Sequence, residues 1–203
     1  MEQNIIITDN LNDIGKSPYK EYLGHALCLD GSCRIVFNGK ELEMKRGDLM
    51  IVRRGKLVEK VRPGQNFCVI MVYISSKLIE LSTPLSNYGM KGQLALLLNP
   101  IMHLTPTQFE QCMHNFDNLH IRMMQTEYKF YNDMMLNKVQ SLIIDFFDFH
   151  ATLYKESDVS TQYATLMNRF LSLLESGKYR CHREVTRYAD KLCVTSKYLS
   201  EVS

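Results

Sequence analysis

Between residues 20 and 75, apolar and polar positions alternate in short runs cut by glycine-containing turns. From residue 105 the apolar positions recur every three or four residues instead. The first period marks strands with one buried face, the second amphipathic helices. The clearest strand pair is "CRIVFNGKELEM" (33–44), two alternating runs around Asn38-Gly39. Both turn residues tolerate positive φ, so the spacing predicts a two-residue type I′ hairpin. That turn sets Phe37 opposite Lys40, Ile35 opposite Leu42, Arg34 opposite Glu43 and Cys33 opposite Met44. Cys33, Ile35, Phe37, Leu42 and Met44 then share one apolar face. Further strands are expected at "DLMIV", "LVEKV" and "NFCVIMVYI", each following a turn. Short strands at regular spacing indicate a sandwich or small barrel.

The helical part opens with Thr105 as N-cap, Pro106 at the first helical position and Gln108 closing a capping box. Phe109, Cys112, Phe116, Leu119 and Met123 form its apolar stripe. A second helix is expected over 127–154, with a heptad-like row through Tyr128, Tyr131, Met135, Val139, Leu142, Phe146, Phe149 and Leu153. A neighbouring row (Phe130, Met134, Ile143, Phe147, His150) is largely apolar as well, so the helix must bury two sides. One side is expected on the barrel or first helix. The other is expected to form a homodimer seam through Tyr131, Met135, Leu142, Phe146 and Phe149; a wholly internal layer is the alternative. The polar stretch "KESDVSTQ" (155–162) reads as a linker, followed by the amphipathic "YATLMNRFLSLLES" ahead of Gly177. The resulting domains are a barrel over 1–104, linker and dimerisation helices over 105–156, and a terminal helical region over 160–203. The fold class is α+β.

The net charge is only +2, but residues 178–203 carry six Lys/Arg against three acids. A locally basic end suits a polyanion, a solvated helix face being the plainer alternative. No apolar run approaches the ~20 residues of a membrane span, and the N-terminus lacks the features of a signal peptide. A cytoplasmic protein with no membrane partner is expected, its six cysteines reduced and without a C-x-x-C pair.

In "REVTRYADKLCVTSKYLSEVS" (183–203), Val185, Tyr188, Ala189 and Leu192 share one helical face. Cys193 and Val194 interrupt it, and Thr195 can cap a second helix whose apolar face is Tyr198, Leu199 and Val202. Two short helices joined so closely form a helix-turn-helix, with Cys193 where glycine usually stands in the turn. Ser196, Lys197 and Ser200 face outward as candidate base-reading residues. Arg187, Lys191 and Thr195 are candidates for phosphate contact.

This segment resembles the first helix-turn-helix of AraC/XylS-type transcriptional regulators, through Tyr188-Ala189, Leu192, Val194, Thr195-Ser196 and Tyr198-Leu199. "LGHALCLDGSCRIVFNGKELEMKRGDLMIVRRG" resembles the amino-terminal cupin-like sensor barrel (jelly roll) of that family, and the helices at 106–154 stand where it places linker and dimerisation helices. The resemblance implies a DNA-binding regulator with a barrel that senses a small-molecule effector. It also implies that the chain is a fragment, ending inside the first reading helix and lacking the second helix-turn-helix. Cupins also serve as metal-dependent enzymes, but His25 stands alone near the first ligand motif and Val58 stands where the last ligand histidine belongs. No catalytic set, metal site or cofactor is expected. The apolar row around Cys33 and Phe37 is either a closed core or the wall of an effector pocket, to which His25, Arg53 and Tyr73 would add polar contacts. A metal-dependent cupin enzyme and a ligand-binding module without a DNA role are the alternatives.

Overall fold

The computed structural model describes residues 4–84, 92, 95–96, 99–154, 166, 169–170, 173, 184–197 and 199. They fall into two compact units, one of residues 1–84 and 92–155, the other of 85–91 and 156–203.

The first unit contains eight strands: β1 (Ile5–Thr8), β2 (Tyr22–Asp30), β3 (Ser32–Phe37), β4 (Lys40–Lys45), β5 (Asp48–Val52), β6 (Val58–Pro63), β7 (Cys68–Ser75) and β8 (Ile101–His103). Its helices are α1 (Ser76–Ser82), α2 (Pro106–Met123) and α3 (Tyr131–Tyr154). The β3–β4 register is the one the turn dictates, Phe37 facing Lys40 and Cys33 facing Met44. Asn38 and Gly39 both take positive φ, 48° and 75°.

All pairings are antiparallel and form two sheets, β1-β7-β2-β5-β8 and β4-β3-β6. The two sheets are not joined into a closed barrel; they sandwich one core. Ala26, Cys28, Met50, Val52, Met71 and Tyr73 from the larger sheet meet Cys33, Ile35, Phe37 and Met44 from the smaller. Leu11 and Ile14, from the loop after β1, complete this core. That loop crosses the β5–β6 turn so closely that a Cβ on Gly15 would lie 2.4 Å from the backbone of Gly55, which requires glycine there.

The other face of the five-stranded sheet is covered by helices. Leu23, Leu27, Leu49, Ile51, Val72 and Ile74 pack with Cys112, Phe116 and Leu119 of α2 and with the long row of α3. With both faces covered, β5 is buried at every position and β2 nearly so. These strands therefore read as near-continuous apolar runs and depart from the alternation expected over 20–75.

The α2 N-terminus is built as expected: Thr105 accepts from the Gln108 backbone and Gln108 accepts from the Thr105 backbone. α3 begins at Tyr131, four residues later than the pattern indicates, and Tyr128 and Phe130 are exposed. The row expected to form the homodimer seam is filled from within the chain. Met135, Leu142, Phe146 and Phe149 are buried and Tyr131 packs at the edge of the same core. Asn115 Nδ2 donates to Asp145 Oδ2 at 2.7 Å, and the Tyr131 hydroxyl to the Met123 carbonyl at 3.2 Å, tying α2 to α3. The internal alternative thus accounts for these side chains: the five-stranded sheet supplies the second apolar surface that a helix with two apolar rows requires. The linker at 155–162 and most of the helix ahead of Gly177 lie outside the described residues.

Candidate functional site

In the second unit, α4 (Val185–Leu192) ends at Cys193, which adopts the left-handed conformation with φ 57°. The Val194 N–H then reaches the Ala189 carbonyl at 3.0 Å and the Cys193 N–H the Asp190 carbonyl at 3.2 Å. Cysteine thus occupies the conformation that glycine usually supplies at a helix C-terminus. The chain restarts as helix at Ser196, and the Leu199 N–H bonds the Thr195 carbonyl at 3.0 Å, so Thr195 occupies the N-cap position.

Tyr188, Ala189, Leu192 and Leu199 are buried with Leu166, and Phe170, Leu173 and Val194 pack around them. Phe170 meets Tyr188 edge to face at 5.8 Å. Val185 does not share this core: it is 47% exposed, so the buried stripe of α4 starts at Tyr188. Among the proposed DNA contacts, Arg187, Lys191, Thr195 and Lys197 are exposed and Ser196 is half-buried. Ser200, Tyr198 and Val202 lie outside the described residues.

The five residues named for an effector pocket divide between the two faces of the large sheet. Cys33, Phe37 and Tyr73 lie in the closed core between the sheets. Tyr73 stacks on Tyr19 at 4.3 Å, and its buried hydroxyl has no hydrogen-bond partner among the described residues. Burial raises its pKa above the usual phenol range and likewise pushes up the Cys33 thiol.

His25 and Arg53 instead line a cleft on the opposite face, under α1 and α3. Its walls include Leu23, Ile51, Ile79, Ile143, Phe146 and His150. The cleft holds about 510 Å³ of space with its open mouth included, of which only about 40 Å³ takes the centre of a water molecule. That is room for roughly three waters at ~10–15 Å³ each, so the cleft is narrow.

His25 is 3% exposed, its ring lying 5.6 Å from the Phe146 ring and nearly parallel to it. Its Nδ1 is 3.3 Å from the Val72 carbonyl. A carbonyl only accepts, so Nδ1 carries the hydrogen. Burial lowers the pKa to about 4, opposed by the Val72 hydrogen bond and assisted by the positive charge of Arg53. The ring is therefore neutral near pH 7, and Nε2 presents a lone pair.

In the sequence His25 stands alone, and nothing near it in the chain points to its neighbours on α3, Phe146 and His150. The available signal was the position of His150 in the second apolar row of that helix, spaced with Ile143 and Phe146 on one face. Among the described residues, no group of three or more His, Cys, Asp or Glu could hold a metal ion. Among them, too, no helix is long and apolar enough to cross a membrane.

No protein-family model matches the chain, and no curated protein does. Solved structures with similar coordinates include the AraC-like transcriptional activator CuxR, at 10% identity and a TM-score of 0.42 over 98% of this chain and 66% of that one. Another is ToxT from Vibrio cholerae, at 11% identity and a TM-score of 0.43 over 98% of this chain and 68% of that one. A further ToxT structure, bound to (E)-4-(8-methylnaphthalen-1-yl)but-3-enoic acid, has 11% identity and a TM-score of 0.40. The chain spans about two thirds of the length of these proteins.

Proposed function

We propose that the chain is part of an AraC-type transcriptional regulator: a β-sandwich of cupin type that senses a small molecule, carrying a helix-turn-helix that reads DNA. The observation that carries this reading is the turn at Cys193. A left-handed residue there, with Ala189 and Leu199 buried against one core, sets two short helices at the close approach a reading helix needs. Lys197 is exposed on the second helix and Arg187 and Lys191 on the first, an arrangement that suits bases and phosphates respectively. On this proposal Ser196 and Ser200 join Lys197 in reading base edges, and Thr195 joins the phosphate contacts. A homodimer completes the proposal. With the α3 row internal, the apolar side chains of the first unit exposed to a second copy include Ile121, Met124, Tyr128 and Phe130 at the α2–α3 turn, Ile144 on α3 and Leu81 on α1.

The test is selection of preferred duplexes from random DNA by the chain together with whatever its reading frame encodes after Ser203. Lys197→Ala is expected to flatten the preference by ~1–3 kcal/mol. Lys191→Ala is expected to weaken specific and random DNA alike and to lower the salt slope by about one. An unselective pool, or Lys197→Ala without effect on preference, would overturn the reading.

A further inference from the structure

We propose that the small sheet is open to a fourth strand, and that its occupant is an extended, acidic segment of a partner protein laid along the free edge of β6. The proposal concerns the first unit alone and stands apart from the DNA reading.

In the order β4-β3-β6, the six-residue β6 (Val58–Pro63) has β3 on one side and no strand on the other. Among the described residues, its outer edge makes no backbone–backbone hydrogen bond. A row of unpaired N–H and C=O groups is a template for an added strand. Between β6 and the loop after β1 lies a groove lined by Asn12, Ile14 and Lys16 and by Val58 to Val61. About 200 Å³ of it takes the centre of a water molecule, against about 40 Å³ in the cleft beside His25. The room therefore lies next to strand backbone, where an extended chain can use it.

The register defines what the added strand must carry. Val61 pairs with Ile35 of the inner core, whereas Lys60 and Arg62 pair with Val36 and Arg34 on the outer face. Lys60, Arg62 and Arg34 are exposed, and among the described residues none of the three forms a salt bridge. Arg62 directly opposite Arg34 is a like-charge pair, which costs stability until an anion stands beside it. Lys16 adds a further cation at the groove. The acid of β6, Glu59, is engaged elsewhere: its Oε1 accepts from the Gly39 N–H at 2.7 Å. The other edge strand, β4, differs, since Glu41 and Glu43 stand among Lys40 and Lys45, and Glu43 pairs with Lys45 at 3.0 Å. An added strand beside β6 therefore needs acids at alternate positions toward Lys60 and Arg62, and an apolar residue between them toward Val61 and Ile14. A second copy of this chain fits less well, because antiparallel pairing of β6 with itself would set Lys60 against Arg62.

The test titrates the whole chain with three end-blocked peptides: Thr-Glu-Val-Glu-Val-Thr, its counterpart Thr-Lys-Val-Lys-Val-Thr, and the acidic peptide N-methylated at its four central amides. The acidic peptide is expected to bind below millimolar concentration, to slow amide hydrogen exchange in β6, and to give NOEs from its valine methyls to Ile14 and Val61. The lysine peptide, with the wrong charge, and the N-methylated peptide, without the ladder donors, are each expected to bind about tenfold more weakly or worse. The double variant Lys60→Glu with Arg62→Glu alters only exposed positions and should reverse the preference, favouring the lysine peptide by about tenfold. Should that variant not fold, the three peptides and the NOEs decide. No binding of the acidic peptide at millimolar concentration, equal binding of either control, protection at the edge of β4 in place of β6, or an unchanged preference in the double variant would each overturn the proposal. Protection of β6 that rises with protein concentration in the absence of peptide would give the edge to a second copy and overturn it as well.

Discussion

The two faces of the five-stranded sheet are built from alternate residues of the same strands, yet they present different chemistry. Toward the small sheet, Ala26, Met50, Val52 and Met71 close against Ile35, Phe37 and Met44, and the buried Tyr73 hydroxyl has no partner among the described residues. Toward the helices, the same strands carry His25 beside Leu23 and Ile51, with Arg53 just past the end of β5, and the covering layer leaves a cleft. Two sheets pack by interdigitating short rows of side chains and close tightly. A helix layer touches a sheet along ridges, so a polar pair between ridges retains space around it. The lesson is that a sandwich of this kind has two candidate ligand faces, and the one between the sheets is here filled.

The sharpest way to break this comparison is Leu142→Glu. Leu142 is 3% exposed within a single chain, so the buried charge should cost ~3–5 kcal/mol or more and unfold the first unit. Circular dichroism and sedimentation check it. A folded monomer arising from a wild-type dimer would instead return this row to a subunit interface.

A smaller effect is expected at His25. Its pKa falls from 6.5 to about 4 on folding, so the unfolded chain binds more protons between those values. Stability is therefore full above pH 6.5 and is lost as pH falls toward 4, by on the order of 3 kcal/mol. His25→Gln should flatten this part of the profile relative to wild type, measured by urea midpoints across the pH range. An unchanged slope would mean that the imidazole is not held neutral against Phe146.

The smallest effect lies on the inner face. Tyr73→Phe removes a hydroxyl with no partner among the described residues and should stabilise the sandwich by about 1 kcal/mol, read as a higher denaturant midpoint at unchanged m-value. A loss of stability would reveal a water or ligand bound to that hydroxyl, and with it a second occupied face.

Local chemistry made much of the architecture legible. Asn38-Gly39 set the hairpin register because only a primed turn matches the strand twist. Thr105, Pro106 and Gln108 set the start of α2 because capping is satisfied within four residues. Residues Tyr188 to Thr195 gave the two helices and the position of their turn, including the site where cysteine must replace glycine. Three elements were not legible. β1 and β8, at four and three residues, are too short for a period to show, and α1, at seven residues, covers barely two helical turns.

By itself the sequence determined which residues of β3 and β4 share a face and where α2 starts. It also showed that α3 has two apolar rows, since each of these follows from contacts within a few residues or across one tight turn. Only the tertiary structure decided what covers those rows. A helix's own pattern states how much surface must leave water, but not whether a sheet or a second chain removes it; here the five-stranded sheet does. It likewise decided that His25 and Arg53 part company with Cys33, Phe37 and Tyr73. A strand's alternation separates odd from even positions, but which set faces the small sheet and which faces the helices depends on pairings between β2, β5 and β7 that lie far apart in the chain.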